Sequence, residues 1–284
     1  VVDYVRAKMK PLTPIQVECE RLLIKLCDIR SVVFDIYGTL MISAAGDISL
    51  TNEVQSVSGM QEAFRILGGS EDRAKAEVAV QQYQIEIKRS QEEKRKRGVD
   101  FPEVEIREVW AALAEKFSLP GNDIEAAALA YECAANPCWE MPGAKTTIDL
   151  LQEKGLVLGI ISNAQFYTPH VVEGTTGVVL RGGIIPEEMI IFSYEEGEGK
   201  PSRRLFEKLA VAAKKQGIQP EEILYVGNDF VKDIEPAQEV GFRAALFAGD
   251  ARSLRTGSAS LSEACATADV VLTELAQLRE VLGL

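Results

Sequence analysis

Four polar clusters, three closing an apolar run and one opening a helix, carry the chemistry this chain can offer. The first is Asp35-Ile36-Tyr37-Gly38-Thr39, which follows Val32-Val33-Phe34. A carboxylate where a buried strand turns through a glycine is placed to act as a nucleophile. The backbone carbonyl two residues on, with the Thr39 hydroxyl beyond it, can face a metal ion or a phosphate. The second cluster, Ser162-Asn163, ends the run from Leu156 to Ile161 with a hydroxyl and an amide able to donate to an anionic oxygen. The third, Gly199-Lys200-Pro201, sets an ammonium ahead of a helix bearing Leu205, Phe206 and Leu209. Its compact charge suits a phosphoryl oxygen or a crowded carboxylate. The fourth, Asn228-Asp229 with Asp233 beyond it, closes the run from Ile223 to Val226 with the hard oxygens that Mg²⁺ takes. Singly, each reads better as a helix cap, a surface charge or a solvated helix start. Strand-end clusters arriving in the order Asp, Ser, Lys, Asp point instead to one site.

To converge, these clusters need a common sheet edge. Short apolar, β-rich runs recur at Val32 to Ile36, Leu156 to Ile161, Met189 to Phe192, Ile223 to Val226, Ala244 to Phe247 and Val270 to Leu272, mostly separated by helical sequence. That alternation predicts βα units in an α/β fold with a mainly parallel sheet, its site at the carboxyl ends of the strands. From about residue 52 to 138 the pattern changes to helix alone. Met60, Ala63, Phe64 and Leu67 mark one helix, Glu71 to Arg97 a second, and Val104 to Phe117 and Ile124 to Ala135 two more. Gly68-Gly69, Gly98, Pro120-Gly121 and Pro137 punctuate them. The reading is an α/β core of residues 1–48 and 140–284 with a helical insertion at 49–139, joined by linkers near 45–52 and 138–143. Ahead of the first strand, Thr13-Pro14-Ile15-Gln16 has a capping-box pattern, and Cys19, Leu22, Leu23 and Leu26 follow at helical spacing, which predicts an amphipathic helix.

With 284 residues and 46% hydrophobic content, the chain can fill a sizeable core. A net charge of −12 opposes nucleic acid and anionic membrane as partners and favours a small molecule. The basic run Lys88, Arg89, Lys94, Arg95, Lys96 and Arg97, interleaved with Glu92 and Glu93, reads as a solvated helix face. Cys19, Cys27, Cys133, Cys138 and Cys265 are scattered, odd in number and unpaired with the single histidine. They read as buried thiols in a reducing compartment. No apolar stretch reaches membrane-spanning length and no signal-like segment opens the chain, so a cytoplasmic protein is expected, as monomer or homodimer.

Taken together, the four clusters resemble the motifs of the haloacid dehalogenase superfamily, over Ser31 to Leu40 and from about Pro142 to the C-terminus, with the insertion where that superfamily places its type 1 helical cap. The resemblance implies a Rossmann-like core and a hydrolase, in most members a Mg²⁺-dependent phosphatase that passes through an aspartyl phosphate. It implies Asp35 as nucleophile and Ser162 and Lys200 as groups that bind the transferring phosphoryl, with Thr39 and Asn163 beside them. The metal would take Asp35, the backbone carbonyl of Tyr37, and Asn228 and Asp229, with Asp233 behind. The substrate would be a small, anionic phosphorylated metabolite.

The pattern departs from the phosphatases at Tyr37, where they carry a second Asp as general acid and base. A phenol, with an ordinary pKa of about 10, is a poor base at neutral pH. An Asp-Xaa-Tyr-Gly-Thr run is similar to the L-2-haloacid dehalogenases, whose halide leaves without a proton and without a metal, but those carry a Tyr six residues after the lysine where this chain has Phe206. A metal-independent dehalogenase and a non-catalytic binding protein are therefore the alternatives to a phosphatase. His170, shortly after the second cluster, reads as a helix-start residue. Tyr194, Glu195 and Glu196 read as a solvated loop, and Trp110 and Trp139 as packing.

Overall fold

Continuous apolar runs become strands buried on both faces, and here they form the centre of the molecule. The computed structural model describes residues 1–44 and 53–284. Strands β1 (Ser31–Phe34), β4 (Val157–Ser162), β5 (Ile190–Phe192), β6 (Ile223–Gly227), β7 (Arg243–Phe247) and β8 (Val270–Leu272) form one sheet in the order β5-β4-β1-β6-β7-β8. Every neighbouring pair runs parallel. All six strands coincide with apolar runs read from the sequence. Helices α6 (Ala144–Glu153), α7 (Thr168–Thr176), α9 (Arg203–Lys215), α10 (Glu235–Glu239), α11 (Leu261–Thr267) and α12 (Leu278–Leu282), with the short α8 (Ser193–Glu196), fill the connections.

Strand order reverses at β1: the chain goes outward through β4 and β5, then returns across β1 to β6. The loops after β1, β4 and β6 therefore meet at one edge, as a topological switch point requires.

Between β2 (Met41–Ser43) and β3 (Cys138–Glu140) stand α2 (Glu53–Ile66), α3 (Arg73–Lys96), α4 (Ile106–Lys116) and α5 (Ile124–Ala135), the helices read from the 52–138 stretch. Their common core includes Phe64, Tyr83, Trp110, Leu113 and Tyr131, with Trp110 fully buried between the rings of Tyr83 and Tyr131. The basic residues Lys88, Arg89, Arg95, Lys96 and Arg97 face solvent along the end of α3. The ends of the bundle are clipped by the antiparallel pairing of β2 with β3, three residues on each side and too short to leave a readable period. The linker read at 138–143 thus begins as a strand, and the one at 45–52 lies outside the described residues.

The N-terminal expectation is overturned. Helix α1 covers only Val2–Lys8, and no helix forms over residues 13–26. That segment is an extended strap. Leu22 exchanges both backbone hydrogen bonds with Val271 (3.0 Å each), Leu26 N–H reaches Val281 O (2.8 Å) and Ile15 N–H reaches an Asp250 carboxylate oxygen (3.0 Å). The edge of β8 offers unpaired backbone groups, and pairing with them outweighs the helical period. The cysteine expectation changes with it. Cys133 and Cys138 are buried, but Cys27 is exposed, and Cys19 and Cys265 are half-buried and touch.

Candidate active site

Asp35 continues the β1 ladder, its N–H bonded to Val226 O at 2.9 Å, and its side chain emerges at the mouth of the sheet between the ends of β4 and β6. Beyond it the chain reverses over Ile36, whose carbonyl accepts from Thr39, Leu40 and Met41. Gly38 carries φ of 89°, and a Cβ there would lie 2.6 Å from both the Asn228 amide and Ser253 Cβ. Only glycine lets the turn after Asp35 press this closely on the loop after β6.

Lys200 connects the three strand ends. Its Nζ donates to Asp35 Oδ1 at 2.7 Å, to Asp233 Oδ1 at 2.6 Å and to the Tyr225 hydroxyl at 3.2 Å. Side-chain exposure is 3% for Lys200, 8% for Asp35 and 1% for Asp233, so the ion pairs are shielded from water. Burial is the largest influence on Lys200 and works against its charge, but Asp233 and Asp35 outweigh it and hold its pKa above the ordinary value. For Asp35, burial pushes the pKa up, Lys200 pulls it down and Asp233 pushes it up again, and the net direction is upward. Ser162 is fully buried at the end of β4, where its hydroxyl donates to Asn163 O at 3.5 Å and its presence beside Asp35 helps to pull that carboxyl's pKa down.

Asn163 does not point its amide at open space. Its Oδ1 accepts Lys200 N–H at 2.7 Å and its Nδ2 donates to Lys200 O at 3.3 Å, so it grips the lysine's own backbone. Thr39 donates to Asn228 Oδ1 at 3.1 Å, and Asn228 Nδ2 donates to Ser253 O at 2.6 Å. These contacts brace the two loops against each other. Asp229 Oδ1 accepts the N–H groups of Val231 and Lys232, while Asp233 Oδ2 accepts Asp229 N–H at 2.9 Å. Burial, then the neighbouring Asp233, raise the Asp229 pKa.

Tyr37 turns away from Asp35. Its hydroxyl lies 3.1 Å from Thr168 Oγ1, and burial first, then the Glu132 carboxylate, push its pKa well above the ordinary phenol value. It stays protonated through neutral pH and serves no base function there. His170 is half-buried on the first turn of α7 and does not join the groups that bond Asp35. Glu195 and Glu196 pair with Arg181 and Lys208.

Two further features escape the sequence motifs. Tyr225, in the middle of β6, sends its hydroxyl to Ile161 O (3.0 Å) and Asp233 Oδ1 (2.9 Å) beside Lys200. Its only sequence signal is a hydroxyl within an otherwise aliphatic strand. The second is the loop between α3 and α4, which docks directly ahead of Lys200. Glu103 N–H bonds Gly197 O (3.1 Å) and Gly199 N–H bonds Phe101 O (2.8 Å). The Gln165 amide binds Ile106 N–H and Val104 O, and Ser193 Oγ donates to Glu103 Oε2 at 2.7 Å.

As a cation site, the arrangement offers hard oxygens and an excess of negative charge, because two carboxylates share one ammonium with Asp229 nearby. Among the described residues no three carboxylate, imidazole or thiolate side chains form a ready cage. Mg²⁺ does not need one, since it keeps several waters and takes one or two carboxylates with other oxygens. The donor set fits that ion in kind.

A parallel sheet of this order with a buried aspartate at the end of β1, a buried lysine beside it and an acidic loop after β6 points to a hydrolase class. The chain belongs to the haloacid dehalogenase-like hydrolases, whose family profile matches residues 29–241. Glyceraldehyde 3-phosphate phosphatase of Pyrococcus furiosus is 32% identical over 143 residues, 50% of this chain and 54% of that protein. The enzyme of the same name from Methanothermobacter thermautotrophicus is 29% identical over 142 residues, 50% of this chain and 58% of that protein. The chain thus spans about half the length of these relatives. In three dimensions it is similar to a phosphatase of the same family from Thermococcus onnurineus, with a TM-score of 0.54 at 20% identity, covering 90% of this chain and 98% of the other. A 2-haloacid dehalogenase from Pseudomonas syringae gives 0.53 at 19% identity over the same shares. At such identities the likeness speaks for the fold. No described helix is long and apolar enough to cross a membrane.

Proposed function

We propose that this chain is a phosphatase acting on a small phosphorylated metabolite through an aspartyl phosphate on Asp35. The observation that carries the reading is the buried Lys200 ammonium, 2.7 Å from Asp35 and 2.6 Å from Asp233 at the mouth of the sheet. An Asp35 oxygen attacks phosphorus while the bond to the leaving oxygen breaks. The leaving alkoxide takes a proton from water and leaves hydroxide; a second water then attacks phosphorus, gives its proton to that hydroxide, restores the carboxylate and releases phosphate. Lys200 balances charge gathering on the phosphoryl oxygens, and the Ser162 hydroxyl donates to one of them. Asn163 holds Lys200 in place, while Thr39 and Asn228 hold the turn after Asp35. Mg²⁺ belongs to this reading: Asp35, Asp229 and the Tyr37 carbonyl would hold it, Asp233 would stand behind, and it would neutralise charge on the transferring group, whereas Asn228, expected from the sequence as a further ligand, has its amide engaged with Thr39 and Ser253. The helical insertion acts as a cap, and its Phe101 to Ile106 loop excludes water from the site. The names of the relatives make glyceraldehyde 3-phosphate the first substrate to try.

One observation favours a second reading. Tyr37 leaves the site without a positioned proton donor, which displacement of halide does not need. A panel of phosphomonoesters and 2-haloacids, assayed with Mg²⁺ and with chelator, separates the two. Phosphate release that depends on Mg²⁺ and falls by at least about 10³-fold in Asp35→Asn is expected. Because leaving-group protonation is unassisted, p-nitrophenyl phosphate should exceed alkyl phosphates by about 10² in kcat. Halide release that survives chelation would instead establish the dehalogenase, and undiminished turnover in Asp35→Asn would remove both.

A further inference from the structure

The strap over residues 13–26 is held by few bonds along its length, and much of it faces solvent. Ile15 is 52% and Ile24 51% exposed. At one end Ile15 is tied to the 250–251 turn, where its N–H bonds Asp250 and its carbonyl accepts Ala251 N–H at 2.9 Å. At the other, Leu22 pairs with Val271. Between these anchors Cys19 Sγ lies 3.3 Å from Cys265 Sγ on α11, two thiols 246 positions apart brought together by the fold. Both are half-buried, within reach of a small oxidant yet screened from other protein chains, whereas Cys27 is exposed and Cys133 and Cys138 are buried.

We propose that Cys19 and Cys265 are a redox site that closes to a reversible intramolecular disulfide and staples the strap to α11. A disulfide needs its sulfurs at about 2.05 Å, so the pair must approach by about 1.2 Å, a shift that an exposed, lightly anchored strap can absorb. Cys19, carried on the solvent-facing strap, is the sulfur that meets the oxidant in this proposal, while burial first, then the hydrogen bond with Cys19, push the Cys265 thiol up to about 12. With a peroxide as oxidant, the Cys19 thiolate attacks one peroxide oxygen, the O–O bond breaks, and a sulfenic acid and hydroxide result. The Cys265 sulfur then attacks the Cys19 sulfur, the S–O bond breaks, and the departing hydroxyl takes the Cys265 proton as water. Two thiols lose two electrons, and one hydrogen peroxide becomes two waters.

The staple has structural reach. The 250–255 turn beneath the strap accepts Asn228 Nδ2 at Ser253 O, while Arg255 N–H bonds Asn228 O and Phe230 N–H bonds Arg255 O. Closing the disulfide fixes the strap and α11 together beside the loop that backs the candidate site. Because it joins segments so distant in sequence, it also constrains the unfolded chain strongly.

The test is to treat the full chain with hydrogen peroxide, alkylate free thiols, and map peptides by mass spectrometry without reduction. The expected result is a Cys19–Cys265 linked peptide, two fewer alkylated thiols, reversal by dithiothreitol, and a rise in Tm of about 5–10 °C. Cys19→Ser and Cys265→Ser should each abolish the link and the Tm gain, and Cys27→Ser should leave both intact. Unchanged thiols after oxidation, a link through Cys27, or sulfinic acid at Cys19 without the linked peptide would overturn the proposal.

Discussion

Two buried carboxylate environments in this molecule face the same problem and solve it differently. At the mouth of the sheet, Asp35 and Asp233 share the Lys200 ammonium. At the base of the helical bundle, Glu132 on α5 has only neutral donors among the described residues. Tyr167 OH reaches its Oε2 and Asn136 Nδ2 its Oε1, each at 3.0 Å, and Asn136 accepts in turn from Ser43 Oγ on β2 at 2.8 Å. The first cluster retains charge in a dry place, an expensive arrangement of the kind that gathers at functional sites. In the second, burial lifts the Glu132 pKa and favours the neutral acid, which serves to join the bundle, the β2–β3 ribbon and the segment after β4. Equal burial thus yields an ionic site in one place and a hydrogen-bonded joint in the other, and the presence of a lysine decides which.

Removing that lysine should have the largest effect on stability. Lys200→Met leaves two buried carboxylates facing each other, and loss of one partner from a buried ion pair costs about 3–5 kcal/mol. Denaturant unfolding should show that loss, and turnover should fall by at least about 10²-fold because charge on the transferring group is no longer balanced. Native stability in Lys200→Met would mean that the carboxylates are not both charged, erasing the contrast with Glu132. A smaller effect is expected from Asn163→Ala, which frees both backbone groups of Lys200 without touching its ammonium. About 1–2 kcal/mol of stability and about 10-fold in kcat should be lost, with KM moving less. Equal losses in kcat and in substrate affinity would instead place Asn163 against the substrate.

What could be read from the sequence follows the same division between local and distant causes. The strands were legible because burial on both faces demands continuous apolar runs, and α2 to α5 because their apolar period is carried by each helix alone. Asp35, Ser162 and Asp229 could be picked out because each follows such a run, and Lys200 because Gly199 and Pro201 set it ahead of a helix of apolar period. The strap could not: its spacing of Ile15, Cys19 and Leu22 matches a helix, and only the open edge of β8 and the 250–255 turn favour an extended path. Tyr225 was hidden inside a strand, where an aromatic residue is ordinary. Asn163 was visible as a polar group, but its bonds to the Lys200 backbone depend on two loops that meet only in three dimensions. The contact of Cys19 with Cys265 has the same origin.

The finest test of the comparison is the pH dependence contributed by Glu132. The titratable groups around it, Tyr37, Tyr83, Tyr131, Tyr167, Cys133 and Cys138, are all pushed upward, burial being the largest cause for each, so none supplies a compensating charge near neutral pH. An unfolded glutamate releases its proton near the ordinary value of 4.5, whereas the folded chain keeps it to higher pH. The unfolded state therefore binds fewer protons within that window, and this group's contribution, fully present below the ordinary value, is lost as pH rises through the folded value. Glu132→Gln removes the titration but sets an NH₂ against a donor, for a cost of about 1 kcal/mol at acidic pH. Thermal unfolding across pH 5–8 should show wild type ahead at the acidic end and the gap narrowing as pH rises. A gap that widens with pH would mean a Glu132 ionised in the folded state, and the bundle joint would then need a cation after all.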